Sequence, residues 1–233
     1  MIKISMNGGW SKKDRPYAPV CIEEYEKEIA WFMEHGIDHF HIHFRDEEGI
    51  DTLDEKFVRP QFEYLKKKFP GCRIGVGSPL LNGRTSEIRY QQISQWTDWK
   101  PDYISLNVFE EGLKPTAELL IQKGVPIEYG LFDYEDIEAF EEAGCAETAH
   151  RVLIEISGED ALERVIKTYE YLHDRYPEIH YLVHGEDMRT WDIIRYAKDN
   201  NISWRVGFED IDRDSDGNIL KSNAELYLHA MEV

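Results

Sequence analysis

The residue types with the most chemical potential stand in one run, His39-Phe40-His41-Ile42-His43-Phe44-Arg45-Asp46, where polar and apolar residues alternate. Successive side chains of a β-strand point to opposite faces, so His39, His41, His43 and Arg45 share one face and Phe40, Ile42 and Phe44 the other. Imidazoles at i and i+2 start about 7 Å apart at the backbone, within reach of a single ion. A metal site is the first chemistry the run points to. The competing reading is ordinary core histidines, each satisfied by a neighbour, and His39, farthest from the C-terminal end of the strand, is expected to be a deeper core residue. A second run, Arg205-Val206-Gly207-Phe208-Glu209-Asp210, puts Arg205, Gly207 and Glu209 on a common face. Glu209 would complete a set of two histidines and a carboxylate, the donors of a catalytic zinc site, which ferrous or manganous ion also accepts. Asp210 has two readings, a cap for its loop or a general base beside the positive charge of Arg205.

These runs need a scaffold that brings distant strands together. Hydrophobic periodicity predicts strands over 2–6, 39–46, 73–77, 103–108, 126–132, 152–156, 179–183 and 203–208. Helical spacing falls between them, over 22–35, 54–69, 85–96, 114–122, 133–143, 161–176 and 190–199, with a last helix over 223–231. Eight strand-then-helix units in 233 residues predict a (β/α)8 TIM barrel, an α/β fold, as a single domain over 1–233. A doubly wound open sheet is the alternative, and no Gly-rich dinucleotide fingerprint follows the first strand. Barrel enzymes react at the C-terminal ends of their strands. Asn7, His41, His43, Arg45, Ser78, Asn107, Glu128, Glu155, His184, Glu186, Arg205, Glu209 and Asp210 all fall there in this reading.

A formal net charge of −19 argues against nucleic acid or an anionic membrane as partner, since both are bound through Lys and Arg. Cys21, Cys72 and Cys145 show no pairing or zinc-ribbon spacing, which suits a reducing compartment and small buried apolar roles. Residues 1–6 alternate like a strand and have no apolar stretch of signal-peptide or membrane-span length, so the expected location is the cytoplasm. Asp212, Asp214, Asp216 and Gly217 imitate the first half of an EF-hand loop, but the twelfth position is Asn223 and the flanking residues read as strand. A solvated acidic loop is the expectation.

Asn7-Gly8-Gly9, His41-Ile42-His43-Phe44-Arg45-Asp46, Arg205-Val206-Gly207-Phe208-Glu209-Asp210 and Ser222-Asn223-Ala224-Glu225, in this order, resemble the β-keto acid cleavage enzymes, whose type member is the 3-keto-5-aminohexanoate cleavage enzyme. The resemblance implies a zinc-dependent barrel in which His41, His43 and Glu209 hold the ion. Asp210, activated by Arg205, would take a proton from the carbon between keto and carboxyl groups. The enolate would attack acetyl-CoA and a retro-Claisen cleavage would give acetoacetate and a new acyl-CoA. Ser78 lies where the family uses a serine for the substrate carboxylate, Asn107 near the place of a family threonine, and Asn7 beside them as a further substrate-binding candidate. Trp10 stands where the aminohexanoate enzyme has a glutamate, and an indole cannot pair with an ammonium group. Lys12, Lys13, Arg15, Arg84 and Arg189 are the cations available for CoA phosphates. The resemblance also implies a homo-oligomer. Two other readings stay open: a CoA-independent, metal-dependent aldolase, decarboxylase or isomerase of a small keto acid, and a non-catalytic barrel module.

Overall fold

In a computed structural model describing residues 1–233, eight parallel strands close into a barrel in the order β1 to β8, each followed by a helix. The strands are β1 Ile2–Ser5, β2 His39–Ile42, β3 Arg73–Val76, β4 Tyr103–Asn107, β5 Ile127–Leu131, β6 Ala149–Glu155, β7 Tyr181–His184 and β8 Ser203–Val206. The helices are α1 Ile22–Glu34, α2 Glu55–Lys68, α3 Ser86–Ser94, α4 Leu113–Gln122, α5 Asp136–Glu142, α6 Ala161–Arg175, α7 Arg189–Asp199 and α8 Asn223–Glu232. No helix is long and apolar enough to cross a membrane.

Outward strand residues such as Ile4, Phe40, Ile42, Ile74 and Val206 are fully buried against the helices, where most of the apolar core lies. The barrel interior is instead polar. At its N-terminal end Glu128 is paired with both Lys3 and Arg151, all three buried. Burial drives the Lys3 ammonium down to about 8, against the pull of Glu128. The Tyr103 ring lies beneath the Arg151 guanidinium, 4.7 Å away, and its hydroxyl donates to Phe40 O at 2.8 Å. Glu128 is therefore a group of the barrel floor, not of the strand ends where the sequence placed it.

Closure between β8 and β1 needs a residue without a side chain. A Cβ at Gly207 would lie 2.0 Å from Ser5 O, so only glycine lets the loop leaving β8 run this close to β1. Asn223 then ties the same corner: its Oδ1 accepts from Phe208 N at 2.7 Å and its Nδ2 donates to Met6 O at 3.0 Å. Ser222 caps α8 by accepting from Glu225 N at 3.1 Å, and the Glu225 carboxylate accepts from Lys221 N, one residue before the cap, at 2.6 Å, so the Ser-Asn-Ala-Glu run fixes the start of α8 from both sides.

Two expectations are corrected. His39, at the entry of β2, is partly exposed and bonded to Asp38 at 2.7 Å, so it is not a core residue. Cys72 and Cys145 are buried, but Cys21 is exposed. The acidic loop is a turn closed on itself, with Asp214 accepting from Asp216 N, Asn218 N and Asn218 Nδ2.

Candidate active site

β2 ends at Ile42, so His41 projects from the strand and His43 from the first residue beyond it, both into the barrel mouth. Glu209 reaches them from the loop after β8. His41 Nε2 lies 3.3 Å from His43 Nε2, and each nitrogen lies 3.5 Å from a Glu209 oxygen. Donors at metal bond lengths of about 2.0–2.1 Å in tetrahedral array stand about 3.4 Å apart, so three corners of such a site are present. Glu209 Oε2 is buried without a hydrogen-bond partner, as an unliganded donor would be. The residues fit a divalent ion.

The surroundings hold these donors in place. Asn7 accepts from His43 N at 3.0 Å and donates to His43 O at 2.9 Å, fixing the backbone of the histidine. Its side chain lies behind the cavity wall. A Cβ at Gly77 would lie 2.1 Å from His43 Nε2, and one at Gly8, whose φ is +54°, would lie 2.7 Å from Glu209 Cγ. Both glycines make room for a donor. Arg45 donates to Gly8 O at 2.6 Å and Trp10 O at 3.1 Å, tying the first loop to the histidine loop. Asp51, a residue the sequence reading did not single out, stands 3.3 Å from His43 Nδ1 and 3.1 Å from Arg84 Nη2. The two imidazoles are driven apart: burial pushes His41 down to about 3, whereas on His43 Asp51 and Glu209 overcome the effect of burial and raise it to about 9.

Arg205 and Asp210 meet beside this group. Arg205 Nη2 donates to Asp210 Oδ1 at 2.7 Å and lies 3.3 Å from Glu209 and 3.6 Å from Glu155. Asp210 also accepts from Ser5 Oγ at 2.6 Å. Its side chain is enclosed beneath Arg205, which lines the cavity.

The cavity has a volume of about 530 Å³. Its polar floor includes His41, His43, Arg205, Glu209, Glu155 and Ser105, with Glu186 above. Trp10, Leu80, Leu81, Phe109 and Phe132 form an apolar wall, the two Phe rings packed edge to face at 5.1 Å. Trp10 Nε1 donates to Glu209 O at 2.9 Å, so the indole is tethered over the donor set. Asn107 lines the cavity and donates to Glu110 Oε1 at 3.1 Å. Ser78 is wholly buried and its hydroxyl donates to Ser105 O. Of the cations considered for CoA, Arg15 stacks on Trp10 and donates to Phe208 O, and Arg84 pairs with Asp51. Both are buried in the fold; Lys12 and Arg189 pair on the surface with Glu24 and Asp192.

A closed parallel (β/α)8 barrel with convergent ionisable donors at the C-terminal ends of its strands is the architecture of barrel enzymes. A family model described as beta-keto acid cleavage enzyme matches residues 1–233, and the chain belongs to that family of enzymes. It is 26% identical over 136 residues to the 3-keto-5-aminohexanoate cleavage enzyme of Fusobacterium nucleatum subsp. nucleatum, covering 53% of this chain and 48% of the relative. The match thus spans about half the length of that curated relative. Among solved structures, ObcA in binary complex with oxaloacetate superposes with a TM-score of 0.70 at 14% identity, covering 93% of this chain and 63% of that one. ObcA in ternary complex with a C4-CoA adduct and oxalate gives a TM-score of 0.69 at the same identity and coverage. These likenesses are of fold.

Proposed function

We propose that the protein cleaves a β-keto acid with acetyl-CoA in a zinc-dependent reaction, giving acetoacetate and an acyl-CoA. The observation that carries this is the convergence of His41 Nε2, His43 Nε2 and Glu209 at 3.3–3.5 Å in a member of this family. His41, His43 and Glu209 hold the ion. When bound, zinc supplies a Lewis acid that favours the enolate of the substrate. Arg205 faces the cavity and binds an anionic oxygen of the substrate. Asp210, held by Arg205 and Ser5, is the base of the site. Asn107 offers its amide to the substrate, while Asn7 acts through the His43 backbone. Ser78 binds the carboxylate once its hydroxyl turns from Ser105 O. The enolate forms a C–C bond with the acetyl carbon and releases CoA thiolate, which then attacks the keto carbon and expels acetoacetate. The protein is expected to work in the cytoplasm as a homo-oligomer.

The test is incubation of the zinc-loaded protein with acetyl-CoA and a panel of β-keto acids, with acetoacetate measured. Acetoacetate from at least one acid supports the proposal, and none from any acid overturns it. One observation favours the CoA-independent reading: the cavity lining holds Asp14, Glu110, Glu155, Glu186 and Glu209 against the single guanidinium of Arg205. So acidic a lining does not attract phosphates. Micromolar acetyl-CoA binding by calorimetry counts against that second reading.

A further inference from the structure

Large apolar side chains stand open at the mouth of the cavity, although the metal chemistry has no need of them. Trp10 is 41% exposed, Leu81 42% and Phe109 55%, and all three line the cavity. Apolar groups left open to water on a concave surface mark a place where an apolar ligand group binds.

Their positions in the barrel show which part of a ligand they meet. His41, His43 and Glu209 come from the end of β2 and the loop after β8, on either side of β1. In a closed ring of eight strands β5 lies opposite β1, and Phe109 and Phe132 follow β4 and β5. A keto acid whose oxygens lie at the donor set reaches these two rings by extending its chain across the mouth. Gly130 keeps space beside Phe132, since a Cβ there would lie 3.4 Å from Phe132 Cε2. On the near side Trp10 is held in place, tethered to Glu209 O and stacked on the Arg15 guanidinium at 4.6 Å. Leu81 packs beside it against Gly9, where a Cβ would lie 2.9 Å from Leu81 Cδ1. A chain crossing the mouth thus meets hydrocarbon on both sides.

The acidic residues of the lining leave this wall apolar. Glu110 is taken up by Arg89, by Leu80 N at 2.9 Å and by Asn107 Nδ2 at 3.1 Å. Asp14 accepts from Ser11 N and Ser11 Oγ, and Glu155 stands 3.1 Å from His184. Glu186 follows β7, across the barrel from Leu80 and Leu81, and burial raises its carboxyl toward the neutral form. No free carboxylate stands on the wall to pair with an ammonium group.

We propose that the substrate is a β-keto acid with an apolar acyl chain, and that Trp10, Leu81, Phe109 and Phe132 select that chain. The proposal rests on the β-keto acid reading and names the chain which that reading leaves open. In the exchange, the bond between the keto carbon and the CH2-carboxylate unit breaks. That unit ends on the acetyl carbon as acetoacetate, and the CoA thiolate forms the new thioester on the keto carbon. 3-Oxooctanoate and acetyl-CoA thus give hexanoyl-CoA and acetoacetate.

The experiment compares kcat/KM for 3-oxooctanoate, 3-oxopentanoate and 3-keto-5-aminohexanoate with zinc-loaded protein and acetyl-CoA, reading acetoacetate and the new acyl-CoA by mass spectrometry. An added methylene in a fitted apolar pocket is worth about 10-fold or more, so 3-oxooctanoate is expected to exceed each of the others by at least about 10-fold. Phe109 is mostly exposed, so Phe109→Ala is expected to keep its thermal midpoint while the ratio of 3-oxooctanoate to 3-oxopentanoate falls by about 10-fold. Leu81→Ala reads the same ratio if that variant does not fold. Turnover of either other acid as fast as 3-oxooctanoate, or of polar β-keto acids alone, overturns the proposal and leaves the β-keto acid reading standing. A preference for 3-oxooctanoate that survives unchanged in the variant also overturns it, because the chain then lies elsewhere. Acetoacetate from no β-keto acid at all overturns both the proposal and the reading beneath it.

Discussion

Asp51 Oδ2 lies 3.3 Å from His43 Nδ1, on the opposite side of the imidazole from the nitrogen that faces His41 and Glu209. A carboxylate there orients the ring and fixes the tautomer that presents Nε2, the second half of a metal site. Asp51→Asn is expected to weaken zinc binding by about 10–100-fold without unfolding the barrel. Titration against a competing chelator checks this, and unchanged affinity contradicts it.

Gly77 provides a second route to the same donor. An alanine Cβ would stand 2.1 Å from His43 Nε2, a contact that only movement of the ring relieves. Gly77→Ala is therefore expected to lower the zinc content of the purified protein to a small fraction of the wild-type value while the far-UV circular dichroism stays the same. Wild-type zinc content in this variant would show that His43 does not need the space.

On the barrel floor, one carboxylate serves two buried cations. Glu128→Ala leaves Lys3 and Arg151 enclosed without a counter-charge, and losing one partner of a buried ion network costs about 3–5 kcal/mol. Urea unfolding measures it. A loss under about 1 kcal/mol would mean that water reaches the floor.

Glu28 of α1 gives the protein a stability that falls with pH. Its Oε2 is buried without a partner, and burial raises the carboxyl from 4.5 to about 7 against the hydrogen bond from Asn223. Below about pH 4.5 the group is protonated in both folded and unfolded chains and carries no penalty. Between about 4.5 and 7 the unfolded chain releases a proton that the folded chain retains, so stability declines, and above 7 the loss is complete. Glu28→Gln is expected to be more stable than wild type above pH 7, by up to about 3 kcal/mol. Equal stability of the two at pH 8 contradicts this.

The fold was readable because strand and helix periods alternate eight times with short breaks. Where boundaries differ, the polar interior is the cause. β6 begins at Ala149 rather than 152 because Arg151 points into the barrel toward Glu128, which breaks the apolar run. α5 starts only at Asp136, whose carboxylate accepts from Phe132 N and Asp133 N and so builds a turn first. At the site, His41, His43 and Glu209 could be found from strand alternation, because two residues along a strand is one step on the same face. Asp51 could not, since its approach to His43 is set by the loop after β2. Nor could the enclosure of Asp210, which depends on Ser5 and Arg205 closing over it from neighbouring strands. The depth of Glu128 depends on register between strands, which a single sequence does not contain.

His41, His43 and Glu209 are proposed to hold the metal of a β-keto acid cleavage reaction. The most direct measurement is acetoacetate formation from acetyl-CoA and a β-keto acid panel, run with metal analysis on wild type and His41→Ala. About one zinc per wild-type chain with acetoacetate formed is expected, and loss of both in the variant. A wild-type protein that binds no metal, or a His41→Ala protein that still makes acetoacetate at the wild-type rate, contradicts it.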